Sequence, residues 1–160
     1  MPAYSTKAFT ASLTVTPAAA AYSANDVMGT AQTLTWLDRN GNTFPGGELR
    51  VISTFFTVAT TALQASEAAY SLKLYNVTPP SNHADNDAWD VPSGDRAAFI
   101  GSLAVGTPVD LGSTLAIEVD SLSKLITVGS SGKTFAELTT AAGFTATAVA
   151  RTITIHAIAE

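Results

Sequence analysis

The sequence predicts an all-β protein, an antiparallel sandwich or barrel, and three observations carry that expectation. Alanine and threonine together make up roughly a third of the chain, and threonine, branched at Cβ, suits a pleated strand. Apolar and polar residues alternate with a period of two in several short runs. Turn residues separate the runs at intervals of about 10–20 residues, with no regular alternation of helices between them.

In chain order, Phe9-x-Ala11-x-Leu13-x-Val15 alternates, so the polar first 16 residues are either an extended arm or a first strand. Asn25-Asp26 with Gly29, Asn40-Gly41-Asn42 and Pro45-Gly46-Gly47 are turn signals, because Gly and Asn tolerate positive φ and Pro fixes φ near −65°. Leu49–Ala59 reads as a longer, more buried strand. Thr61–Tyr70 has alanines at helical spacing, but its threonine-rich approach suits a loop almost equally well. Ser71-Leu72-Lys73-Leu74-Tyr75 alternates again. Pro79-Pro80, Pro92-Ser93-Gly94 and Gly106-Thr107-Pro108 then mark turns. Leu115–Val128 predicts another buried strand, broken near Asp120–Ser123.

One short helix is expected near residues 134–142. Thr134-Phe135-Ala136-Glu137 has the form of a capping box, Phe135, Leu138 and Ala142 share one helical face, and Gly143 supplies a stop. Ile153-x-Ile155-x-Ala157 closes the chain as an alternating strand with His156 on its outer face. With 160 residues and no internal repeat or linker, the expectation is a single β-sandwich domain over 1–160.

Composition excludes several functions. Charged residues are 13% of the chain, against about 25% in average proteins, and the net charge is −5. Eight scattered Lys and Arg argue against a nucleic-acid binder that works by neutralising phosphates. The absence of cysteine removes disulfides, thiolate metal sites and cysteine nucleophiles. No apolar run approaches the roughly 20 residues of a membrane helix, and the first residues lack the apolar core of a signal peptide. No membrane association is expected.

Three stretches invite a chemical reading. Gly129-Ser130-Ser131-Gly132-Lys133-Thr134 resembles the end of a P-loop, but Thr127 stands where the first glycine belongs, so a tight turn is the better account. The stretch Ser81–Asp95 holds four aspartates, and such hard oxygen ligands at close spacing can bind calcium. Counting an EF-hand from Asp85 places Trp89, Asp90 and Arg96 at positions five, six and twelve, which excludes that loop. The simpler reading is a solvated loop of Asx-turns pinned by Trp89. The two histidines, His83 and His156, are too few for a tetrahedral zinc site without carboxylate help, and no Gly-x-Ser-x-Gly elbow exists. Asn76-Val77-Thr78 matches the glycosylation sequon, a short match that is common by chance. No catalytic, metal or cofactor residue is expected. The candidate contact residues are His83, Asp85, Asn86, Asp87, Trp89 and Asp90.

Several segments, in order, resemble a group of small virion proteins of tailed bacteriophages. Ala21-Tyr22-Ser23-Ala24-Asn25-Asp26-Val27-Met28-Gly29 is similar to their Ala-Tyr-x-x-x-Asp-Val-x-Gly opening, and Gly46-Gly47-Glu48-Leu49 to a Gly-Gly-x-Ile/Leu step. Leu72-x-Leu74-Tyr75-Asn76-x-x-Pro79 and Asp85-Asn86-Asp87-Ala88-Trp89 resemble Leu-x-Leu-Phe-x-x-x-Pro and Asp-Asn-x-Ala-Phe. Phe135-Ala136-Glu137-Leu138 through Gly143-Phe144-Thr145 resembles the family's short helix before its last strand. Tyr75 departs from the usual phenylalanine, and the family's C-terminal basic residue is missing.

The resemblance covers most of residues 20–160. It implies a β-sandwich of jelly-roll type and a non-enzymatic structural role in the virion, assembled in the host cytoplasm. A capsid decoration or cement protein is the first expectation, with the major capsid protein or other virion proteins as partners and a dimer or trimer of the chain as the bound form. A tail- or fibre-associated component and a carbohydrate- or receptor-binding module are the alternatives. A small hydrolase or a pilus subunit fits less well. The first 16 residues and the Ser81–Asp95 loop are the expected contact elements.

Overall fold

The computed structural model describes residues 7–160, so the first six residues of the expected arm lie outside the described residues. The strands are β1 (Ala8–Val15), β2 (Ala21–Tyr22), β3 (Val27–Thr35), β4 (Leu37–Asp38), β5 (Gly47–Val58) and β6 (Tyr70–Tyr75). They continue with β7 (Phe99–Gly106), β8 (Val109–Asp110), β9 (Leu115–Val119) and β10 (Lys124–Val128). The last are β11 (Lys133–Thr140), β12 (Phe144–Thr145) and β13 (Arg151–Ala159). Every pairing between them is antiparallel. Among the described residues there is no helix, and so none long and apolar enough to cross a membrane.

The larger sheet runs β4-β1-β13-β5-β9-β8, with β10 also on β5. β10 pairs with residues 47–51 of β5 and β9 with residues 54–58, so the two are one strand interrupted at residues 120–123. The break comes where expected, and Ser121 there has φ 61°. The smaller sheet runs β3-β11-β6-β7, and β2 and β12 form a separate two-stranded ribbon. Counting β9 with β10 as one, the eight principal strands lie 1-8-3-6 in one sheet and 2-7-4-5 in the other. Strands one and eight, two and seven, three and six, and four and five are thus antiparallel neighbours, as in a long hairpin rolled into two layers. That is the double Greek key of a jelly roll.

Alternation explains the inward faces. Phe9, Ala11, Leu13 and Val15 of β1 and Ile153, Ile155 and Ala157 of β13 point into the shared core. Across it lie Leu72 and Leu74 of β6, Leu103 and Val105 of β7, and Ala136 and Leu138 of β11. On β5 the inward phase changes between Val51 and Thr54, because its register against β13 shifts between His156 and Ala157 and leaves Ile52 as the extra residue. Full burial of each large apolar side chain is worth about 1.5–3 kcal/mol.

One expectation needs correction. Residues 134–142 do not form a helix: Lys133–Thr140 is the strand β11, between β3 and β6. The capping threonine is instead a buried partner, since Trp36 Nε1–H donates to Thr134 Oγ1 at 3.1 Å. Glu137 is fully buried on the opposite face of the strand, and Thr139 and Thr140 continue the extended chain. Three β-branched threonines and burial on both faces hold the segment extended against a weak local helix signal. The Thr61–Tyr70 stretch is a loop until Tyr70 opens β6. The strand β1 is part of the larger sheet, paired to both β13 and β4, so residues 8–15 are a first strand rather than an arm.

Candidate functional site

The connection between β6 and β7, residues 76–98, does not stand out into solvent. It folds back across the outer face of the smaller sheet and covers β11. Its middle is sewn to the start of β3 by backbone bonds: Asn86 N to Val27 O at 2.8 Å, Val27 N to Asp87 O at 2.8 Å, and Trp89 N to Asn25 O at 2.9 Å.

Asp85 anchors one side of this cover. Its Oδ1 accepts from the Tyr22 hydroxyl at 2.7 Å and the Gly29 amide at 2.6 Å, while Oδ2 accepts from the Ala18 amide at 2.8 Å. Gly29 has φ +76°, and a Cβ there would meet Val15 Cβ at 3.1 Å, so this close approach requires glycine. Burial, the hydrogen bond to Asp85 and its negative charge all hold the Tyr22 phenol above its usual pKa of 10.0.

His83 anchors the other side. Its ring is 9% exposed, with Nδ1 3.1 and 3.2 Å from the two carboxylate oxygens of Glu137 and Nε2 3.2 Å from Asp90 Oδ1. Glu137 Oε2 also accepts from the Tyr75 hydroxyl at 2.9 Å, and Tyr75 Oη accepts from the Trp89 indole N–H at 2.9 Å. Burial works against the charged imidazole, but the hydrogen bonds and charges of Asp90 and Glu137 outweigh it and raise its pKa above 6.5. Burial first, and then the charge of Glu137, push the Tyr75 phenol up, against the lowering effect of the Trp89 bond.

Of the six sequence-predicted residues, His83, Trp89 and Asp90 are thus joined in one network through Glu137 and Tyr75. Asp85 belongs to a second network. Asn86 and Asp87 lie exposed between them, and Asp87 Oδ2 accepts from the Ala84 amide at 2.8 Å in an Asx-type turn. Trp89 is half-buried, with the Lys73 ammonium 4.4 Å from its ring centre and the Phe99 ring 5.6 Å away, so it is not an open platform for a sugar. The loop is exposed over much of its length and pinned by Trp89 as expected, and Asp85 and His83 fasten it further.

Sequence reasoning missed Glu137, Tyr75 and Asp95 as parts of this unit. Asp95 is buried and accepts from the amide and hydroxyl of Ser81, which closes the neck of the loop. Glu137 carried a signal in principle: an acid inside Phe135-Ala136-Glu137-Leu138 must be buried if that segment is a strand on two-sided packing.

The arrangement holds structure rather than performing chemistry. Both ring nitrogens of His83 face carboxylates, so neither is free to take a proton from a substrate. Glu137 and Asp90 lie on opposite nitrogens and cannot converge on one ion, and among the described residues no group of three or more His, Asp or Glu could hold a metal. Gly129–Gly132 forms a tight turn, with Gly132 N donating to Gly129 O at 2.9 Å, and leads into a strand rather than a helix N-terminus.

No protein-family model matches the chain, and no curated protein matches it. Solved structures to which the chain is similar include the capsid asymmetric unit of cyanophage Pam1, at 14% identity over 98% of this chain and 86% of that one, with a TM-score of 0.34. Vertex protein P5 of PRD1 is 13% identical over 96% of this chain and 97% of that one, with a TM-score of 0.35. The VP1 pentamer of KI polyomavirus is 11% identical over 99% and 96%, with a TM-score of 0.31.

Proposed function

We propose that this chain is a non-enzymatic structural protein of a bacteriophage virion, a decoration or cement protein that binds the capsid lattice as a symmetric oligomer. One observation carries the reading. Two of the motifs that resemble small phage virion proteins, Ala21–Gly29 and Asp85–Trp89, are distant in sequence but form one bonded unit: Tyr22 and Gly29 both donate to Asp85, and Asn25 and Val27 pair with residues 86–89. Their joint occurrence therefore marks a folded element, and the jelly-roll strand order implied by the same resemblance accompanies it. Low charge supports association, because fewer ions need desolvation when surfaces meet.

The contact is assigned to the outer side of the cover, at Asn86, Asp87, Trp89 and Asp90. His83 and Asp85, turned inward, hold that surface in shape. Copurification with phage particles tests the role: a copy number on the order of hundreds fits a lattice protein, and a dozen or fewer fits the tail alternative. Ala88→Arg changes an exposed position of the cover and removes no side-chain hydrogen bond. This substitution is expected to abolish particle binding while leaving the unfolding midpoint in place. Binding that survives it removes the contact assignment, and absence from particles removes the virion reading.

A further inference from the structure

We propose that His83 is a proton-operated latch that holds the arch of residues 90–94 against the body and releases it when the ring loses its proton. The inference rests on the reading above in one respect: the arch borders the proposed contact surface.

The geometry comes first. A neutral imidazole carries one N–H and one lone pair, whereas His83 presents one nitrogen to Glu137 and the other to Asp90. Only the doubly protonated ring can donate on both sides. With a single proton, one nitrogen would turn its lone pair toward a carboxylate.

The two sides are not equivalent. Glu137 is fully buried and fixed on β11, while the Asp90 side chain is 72% exposed and free to turn into water. Loss of the proton therefore breaks the Asp90 side and leaves Nδ1–H on Glu137. The groups around the ring cannot substitute for that proton. Tyr75 of β6 already donates to Glu137, and Lys73 of the same strand, opposite Glu137 in register, holds its ammonium over the Trp89 ring. Asp95, at the neck of the loop, carries a negative charge that reaches Tyr75 and supplies no cation.

What opens is also defined. Residues 84–89 stay attached through the Asp85 bonds and the backbone bonds to residues 25–27. Beyond them, the Asp90–His83 pair is the hydrogen bond that ties residues 90–94 to the body among the described residues, the Asp95 amide bonding only back to Pro92 O within the loop. The carboxylates on both sides of the ring raise its pKa above 6.5, so the closed state persists to higher pH than a free imidazole would keep its proton, and release follows as pH rises through the ring's own titration.

The test is a pH titration of the full chain by nitrogen-15 NMR, reading the His83 ring nitrogens and the amides of Asp90, Val91, Ser93 and Gly94. Both ring nitrogens should be protonated at pH 6, and the arch amides should lose order with the same midpoint as the ring. Asp90→Ala, which removes the acceptor and its charge, should lower that midpoint and leave the arch mobile throughout. His83→Gln should remove the transition, and if it fails to fold, the exposed Asp90→Ala variant still decides. A ring with one proton at pH 6, or arch amides indifferent to its titration, overturns the latch. Particle binding over the same pH range separates the two proposals: a working latch without binding at any pH removes only the virion role, and binding with a static arch removes only the latch.

Discussion

Tyr22 and Asp85, 63 positions apart, meet in a 2.7 Å hydrogen bond that fastens the long β6–β7 connection to the corner leading into β3. Asp85 spends both carboxylate oxygens on three donors, so its loss affects all of them at once. Asp85→Ala is expected to cost about 2–4 kcal/mol, more than one ordinary hydrogen bond, because three donors lose their acceptor at once and one of them, the Tyr22 hydroxyl, belongs to a buried residue. Tyr22→Phe removes a single bond and should cost about 1 kcal/mol. Urea unfolding midpoints of the two variants check the ranking.

Arg151 and Glu67 are both fully buried by side chain, 3.9 Å apart, and the Tyr70 hydroxyl donates to the same carboxylate. Arg151 Nη1 donates to Thr147 O and Val149 O, whereas among the described residues Nε has no hydrogen-bond partner and Nη2 has only the Glu67 carboxylate at ion-pair distance. Removing one member alone strands a buried charge, so Glu67→Gln or Arg151→Met should destabilise by about 3–5 kcal/mol. The double variant Glu67→Leu with Arg151→Met should recover most of that loss. Calorimetric midpoints of the three proteins provide the comparison, and a double variant as weak as the singles would refute it.

Gly132 and Gly41 both have positive φ, +67° and +82°. A Cβ on Gly132 would lie 2.3 Å from Thr43 Cγ2 and 2.4 Å from Phe44 O, whereas Gly41 has open space. Gly41→Ala should therefore cost only the left-handed backbone term, about 1–2 kcal/mol. Gly132→Ala adds a clash with backbone and should cost clearly more. Equal unfolding midpoints for the two would show that the turn before β11 yields easily.

Stability should fall in two steps as pH rises. His83 has its pKa raised in the fold, so its contribution is complete below the unfolded value near 6.5 and is lost as pH climbs through the folded value. Tyr22, Tyr70 and Tyr75 are all raised from 10.0, chiefly by burial, so a second loss begins above about pH 10, where the unfolded phenols ionise first. Denaturant midpoints from pH 5 to 11 should show both steps, and His83→Gln should lack the first.

Much of the larger sheet was legible because one of its faces is wet. Phe9–Val15 and Ile153–Ala157 alternate cleanly, and they pair with each other residue by residue. The smaller sheet was harder to read because the 76–98 cover removes that contrast. With Glu137 and Thr139 buried and Phe135 half-buried on its outer face, β11 loses its alternation and a chance capping pattern prevails. β3 was hidden by Gly29 and by a register shift against β11 between Ala136 and Leu138. In the candidate site, proximity of the Asp-rich stretch and Trp89 was apparent from spacing. Glu137 and Tyr75 were not, since their meeting with His83 depends on the loop folding back over the sheet, which no local pattern encodes.

The position of β13 between β1 and β5 has a consequence for synthesis. A fragment that stops before Arg151 lacks the middle plank of the larger layer, leaving two facing edges with open amides and carbonyls and a half-uncovered apolar interior. While still on the ribosome the nascent polypeptide must wait for this late piece before it can close. Truncation before Arg151 should therefore yield aggregates rather than folded protein.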